Sequence, residues 1–134
     1  MLVATDADSI LDAIDAALGG TYNVFRVRKG ADVRAAVAEV DPDVVLLDLQ
    51  IGNMGGIAAC LDLRLEERAG RLDERRILIL LDREADIFLA RRAEADGWLI
   101  KPLDAFRLRR AVTTVLDHGQ YTEGLPADAP PPLV

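Results

Sequence analysis

The sequence predicts a three-layer α/β fold, a five-stranded parallel sheet with helices on both faces. Three observations carry that prediction. The apolar pattern passes from a strand-like to a helical period five times, always in the same order. The middle strand segments, Val44–Leu47 and Ile77–Leu81, are apolar on both faces, as strands covered from both sides must be. The chain has 134 residues, enough for one domain that buries roughly two thirds of its unfolded surface.

The elements follow in order. Leu2–Thr5 is a short strand, and Asp6-Ala7-Asp8-Ser9 is a turn that supplies a helix cap. Ile10, Leu11, Ile14, Ala17 and Leu18 recur at helical spacing, and Gly19-Gly20 ends that helix. Tyr22–Val27 alternates as a strand. Ala31–Val40 is an alanine-rich helix stopped by Asp41-Pro42-Asp43. Val44–Leu47 is the central strand and delivers Asp48 at its carboxyl end. A loop, Leu49–Gly56, with three glycines leads into a helix over Ile57–Ala69. Ile77–Leu81 is the fourth strand, Ala85–Ala95 a helix and Trp98–Ile100 the fifth strand. Lys101-Pro102 breaks the chain before a last amphipathic helix, Leu103–Asp117. Alternation of this kind closes through right-handed crossovers. Residues 119–134 contain four of the six prolines and little to bury, so the domain is expected to span 1–118, followed by a disordered tail.

Composition excludes several functions. Sixteen Lys and Arg against 23 Asp and Glu give a net charge of −7, which disfavours nucleic acid and anionic membranes as partners. The N-terminus carries acids where a signal peptide needs basic residues, and no apolar run is long enough to span a bilayer. A cytoplasmic location is expected. The single cysteine, Cys60, excludes an internal disulfide and reads as a small buried helix residue. His118, the only histidine, falls at the end of the last helix and reads as a cap.

Ligands of an open parallel sheet bind beyond the carboxyl ends of its strands. Those ends deliver Asp6 and Asp8, Asp48, Leu81 and Asp82, and Lys101. Carboxylates gathered on one rim repel one another unless a cation or protonation relieves them. With a lysine beside them they suit phosphoryl transfer, where the charge on the phosphoryl oxygens must be neutralised. The plain alternative is that Asp48 caps its loop and Lys101 forms a surface ion pair with it.

Three segments resemble response-regulator receiver domains. Pro42-Asp43-Val44-Val45-Leu46-Leu47-Asp48-Leu49 with Met54-Gly55-Gly56 is similar to the phospho-acceptor segment, and Asp96-Gly97-Trp98-Leu99-Ile100-Lys101-Pro102-Leu103 to the fifth strand with its Lys-Pro pair. Asp6-Ala7-Asp8-Ser9 sits at the acidic turn. The resemblance covers about residues 1–118 and implies a flavodoxin-like (βα)5 receiver fold. It implies that Asp48 is the phospho-acceptor and that Lys101 contacts the phosphoryl group. It further implies Mg²⁺ held by Asp6, Asp8, Asp48 and the Gln50 backbone carbonyl, with Leu81 and Trp98 at the switch positions.

The sequence departs from the family in three places. Only one acid of the family's adjacent pair is present: a gap-free register pairs Asp6 with Ala7, and a shift by one pairs Thr5 with Asp6. Leu81 stands where the family carries a Ser or Thr hydroxyl. Gly52 and Gly55 predict a mobile loop beside the acceptor.

Two functions follow from the resemblance. One is a single-domain response regulator of a phosphorelay. It would take its phosphoryl group from a histidine kinase or phosphotransfer protein, with catalysis limited to its own phosphorylation and dephosphorylation, and would signal by protein contact without DNA or membrane. The other is a degenerate receiver that binds a protein target independently of phosphorylation. A flavodoxin-like cofactor binder is disfavoured, because Asp6-Ala7-Asp8 would repel a phosphate. Arg91, Arg92, Arg107 and Arg110 mark the fourth and fifth helices of an acidic protein. They either form a solvated basic face or an interaction surface, and the family's dimer and target face lies there.

Overall fold

The computed structural model describes residues 1–124. Five parallel strands form one sheet in the order β2-β1-β3-β4-β5. They are β1 (Leu2–Ala4), β2 (Phe25–Val27), β3 (Val44–Asp48), β4 (Arg76–Leu81) and β5 (Gly97–Ile100). The helices are α1 (Asp8–Leu18), α2 (Val33–Val40), α3 (Gly56–Arg68), α4 (Ile87–Arg92) and α5 (Ala105–Leu116). Strand order reverses between β1 and β3, so the carboxyl ends of those two strands flank the crevice where such sheets take their ligands.

The doubly apolar strands divide their side chains between two cores. Ile77, Ile79 and Leu81 of β4 join Val45 and Leu47 under α2, α3 and α4. Leu78 and Leu80 join Leu46 and Leu99 under α1 and α5. Each of these side chains is fully buried, and full burial of a leucine or isoleucine contributes about 1.5–3 kcal/mol. The middle of the sheet is therefore the rigid base on which the strand ends sit.

Several element ends differ from the sequence reading, each for a local reason. β2 is shorter than Tyr22–Val27; Tyr22 and Val24 instead pack against the core under α1 and α5. α4 is shorter than Ala85–Ala95: a 3₁₀ turn, Glu84–Asp86, precedes it, and Glu94 with φ +63° follows it. α5 begins after Asp104, whose carboxylate accepts from the Arg107 backbone N–H and caps the helix.

The first residues of the expected tail, 119–124, are instead held against the sheet. Tyr121 bridges to β5 opposite Gly97, so the chain through Gly124 lies along the free edge of the sheet. The Trp98 N–H donates to the Tyr121 carbonyl at 2.9 Å, and the Tyr121 N–H donates to that of Asp96 at 3.2 Å. Residues 125–134, the rest of that expected tail, lie outside the described residues. No helix among the described residues is long and apolar enough to cross a membrane.

Candidate functional site: the acceptor pocket at the strand carboxyl ends

Asp48, the last residue of β3, is 1% exposed. Its Oδ1 accepts from the Lys101 ammonium at 2.5 Å and from the Gln50 backbone N–H at 3.1 Å. Its Oδ2 accepts from the Thr5 hydroxyl at 2.8 Å. The central strand thus delivers a buried carboxylate, and the end of β5 delivers the cation that makes its burial tolerable. The Lys101–Pro102 peptide bond is cis.

Lys101 has a second partner, the Asp82 carboxylate at 2.9 Å. Burial pulls the Lys101 pKa down, but hydrogen bonds and charge from Asp48 and Asp82 outweigh it and hold the ammonium above its ordinary value. At Asp82, burial pushes the carboxyl up, and Lys101 and Gln50 outweigh it, so the group stays ionised below its usual range. Lys101 is therefore a fixed point charge shared by two carboxylates.

The acidic turn is arranged differently from its sequence. Thr5 follows β1 directly and reaches Asp48, while its oxygen also accepts from the Ala7 N–H at 3.1 Å. Of the two registers open in the sequence, the structure places Thr5 and Asp6 directly beyond the strand. Asp6 accepts from the Gly52 N–H at 3.1 Å, which ties the first turn to the acceptor loop. Asp8 does not turn toward Asp48. It pairs with Arg26 at 2.7 Å and with Arg28 at 3.6 Å, and those hydrogen bonds and charges lower its pKa.

Receiver domains typically bind Mg²⁺, and the oxygen donors that the resemblance assigns to it are those of Asp6, Asp8, Asp48 and the Gln50 carbonyl. As arranged they do not fit a bound divalent ion. Among the described residues no three Asp, Glu, His or Cys side chains converge on one point. Thr5 offers a hydroxyl where a second acid would stand, and the Asp6 carboxylate is turned to Gly52.

The glycine-rich loop is pinned. The Gly30 N–H donates to the Gly52 carbonyl at 3.3 Å and the Ala31 N–H to that of Asn53 at 3.0 Å. A Cβ on Gly30 would meet the Met54 carbonyl oxygen at 1.6 Å, and one on Gly56 would meet that of Asp48 at 2.4 Å. Glycine at these two places permits close backbone approach and lets α3 start against the acceptor.

Leu81 and Trp98 share the core under α4. Leu81 is fully buried and Trp98 is 6% exposed. The indole N–H of Trp98 donates to the Glu123 carbonyl at 2.9 Å. Glu123 was invisible as a functional residue in the sequence, yet its carboxylate accepts from the Ile100 N–H and the Tyr121 hydroxyl and pairs with Arg107. Arg107 is accordingly an internal clamp, also bonded to Asp104 and to the carbonyls of Ile100 and Pro102. Of the four candidate interaction arginines it is the one whose charge is already paired within the fold. Arg92 and Arg110 are exposed, Arg91 is half-buried, and none of the three forms an ion pair among the described residues.

A (βα)5 fold with a buried aspartate on the central strand and a lysine against it defines a signal receiver of two-component systems. The chain belongs to the response regulator receiver domain family, whose pattern it matches over residues 1–113. It is 28% identical over 129 residues to the DNA-binding response regulator MtrA of Mycolicibacterium smegmatis, across 96% of this chain and 54% of that protein. It is 25% identical over 123 residues to the transcriptional regulatory protein AfsQ1 of Streptomyces coelicolor, across 90% of this chain and 52% of that protein. The chain thus spans about half the length of the curated relatives it matches.

Among solved structures, a putative response regulator from Chloroflexus aurantiacus aligns with a TM-score of 0.76 and 24% identity, covering 87% of this chain and 95% of that one. The Vibrio cholerae chemotaxis protein CheY4 aligns with a TM-score of 0.73 and 22% identity, covering 84% and 93%. These likenesses establish the fold.

Proposed function

We propose that this receiver domain accepts a phosphoryl group on Asp48 from a phosphohistidine of a histidine kinase or phosphotransfer protein, and passes the signal on by protein–protein contact. The observation that carries the reading is the 2.5 Å contact between Lys101 and the buried Asp48. An Asp48 oxygen attacks phosphorus, the phosphorus–nitrogen bond breaks, and the imidazole leaves with the electron pair and takes up a proton. Lys101, kept protonated by its two carboxylates, is placed to follow the charge from Asp48 onto a phosphoryl oxygen.

A second reading, a receiver that binds its target without phosphorylation, is favoured by two specific features. Thr5 replaces an acid with a hydroxyl that occupies Asp48, and Leu81 offers no hydrogen-bond donor to a phosphoryl group. Incubation with a small phosphodonor, with and without Mg²⁺, followed by intact-mass measurement separates the two. The first reading expects a gain of one phosphoryl group that is lost in Asp48→Asn. No gain under any condition moves the assignment to the second.

A further inference from the structure

Asp82 follows β4 directly, where the acceptor pocket opens. Its side chain is 31% exposed, against 2% for Asp48 and 19% for Lys101, so it forms the outer layer of the three. The Lys101 ammonium lies 2.9 Å from Asp82 and 2.5 Å from Asp48, and one positive charge is divided between two negative ones. No other cation pairs with either carboxylate among the described residues. A phosphoryl donor entering this pocket meets a net negative charge, and the Lys101 ammonium that would receive it is already drawn to two carboxylates.

We propose that Asp82 is a positioning residue that restrains phosphorylation of Asp48, holding Lys101 on the open side of the pocket and repelling anionic donors. This inference rests on the proposed acceptor role of Asp48. Its physical content is electrostatic, because the two carboxylates compete for one ammonium and the partly exposed one stands in the donor's path. Arg83, the next residue, lends Asp82 some charge stabilisation but forms no ion pair with it; its guanidinium pairs with Asp86 instead. Uptake then depends on how much negative charge the donor brings and on the salt around it.

The test follows phosphoryl transfer to Asp48 by intact mass in the full chain, with acetyl phosphate and with the less anionic phosphoramidate. With acetyl phosphate an Asp48 oxygen attacks phosphorus, the bond to the acetate oxygen breaks, and acetate leaves with the electron pair. Asp82→Asn and Asp82→Ala are expected to accelerate transfer from acetyl phosphate about tenfold, equivalent to about 1.4 kcal/mol. The gain with phosphoramidate should be smaller, Asp82→Glu should retain the slow rate, and added salt should speed the wild type more than Asp82→Asn. A merely structural role for Asp82 would not produce that dependence on donor charge and salt.

A phosphorylatable wild type with equal or slower rates in both neutral variants overturns the inference and leaves the acceptor role standing. An unreactive wild type beside a reactive Asp82→Asn supports the inference in its strongest form. Failure of every variant with both donors overturns the acceptor role and this inference together.

Discussion

Thr5 changes the chemistry of the pocket most. A hydroxyl beside a buried carboxylate donates a hydrogen bond where a second acid would repel it, so the Asp48 oxygens are fully partnered by Lys101, Gln50 and Thr5. Thr5→Asp would set two carboxylates against each other in a buried site. It is expected to lower stability in chelator by about 1–3 kcal/mol, and added Mg²⁺ should recover most of the loss. Thermal unfolding with chelator and with Mg²⁺ checks this, and equal melting curves for mutant and wild type would oppose it. Cys60 illustrates the opposite case: burial pushes its thiol up to about 12, and its Sγ–H donates to the Ala93 carbonyl, so it is inert packing. The sequence already supported that reading of Cys60, because a lone cysteine at an apolar helix position has little else to do.

Among the elements, legibility followed local signal. β3 and β4 were readable because four or five consecutive apolar residues admit little besides a buried parallel strand, and Asp48 and Lys101 were readable as what the ends of β3 and β5 deliver. The edge segment 119–124 was not, since its two glycines and the prolines that follow it from position 126 carry a tail signature, while Tyr121 and Glu123 acquire meaning only once β5 lies beside them. The role of Arg107 was hidden for the same reason, because its main partner is sixteen residues away along the chain. Position alone could not choose between Thr5–Asp6 and Asp6–Ala7; the end of β1 does.

The edge segment also makes a pH prediction. Burial raises the Glu123 carboxyl, but Arg107, the Ile100 N–H and the Tyr121 hydroxyl outweigh it, so the folded pKa lies below the ordinary 4.5. A depressed carboxylate stabilises the folded state fully above its unfolded pKa and loses that contribution as pH falls through the folded value. The segment should therefore loosen as the pH drops below about 4.5, shifting the emission of Trp98, the only tryptophan. Glu123→Gln should give the shifted emission already at neutral pH. A flat emission profile in the folded protein down to acid unfolding would contradict it.

Across the whole molecule, the two ends of the sheet do different work. At the amino ends, the buried guanidinium of Arg64 bonds Glu67, Asp96 and the carbonyls of Arg75 and Glu94, tying α3 to β4 and β5. At the carboxyl ends, the charges are arranged around Asp48 and Lys101 instead. Separating a structural pole from a chemical one lets the acceptor rim carry repulsion that would be costly in the core.

The surface carries a second asymmetry. Arg91 and Arg92 end α4 without an ion pair among the described residues, in a chain whose net charge is −7. Unpaired charge of one sign steers association more than it stabilises the fold. Reversal of both, Arg91→Glu with Arg92→Glu, should leave melting within about 0.5 kcal/mol of wild type and slow association with an acidic partner or a second copy at low salt. Unchanged association in both respects would remove this face from consideration.

The central claim is that Asp48 itself carries the phosphoryl group. Borohydride reduction of protein treated with a small phosphodonor converts an acyl phosphate to the corresponding alcohol, and peptide mass mapping then locates it. The account predicts homoserine at position 48 and at no other acidic residue, with none formed in Asp48→Asn. Label on Asp6 or Asp82 instead, or none anywhere after exhaustive treatment, would contradict it.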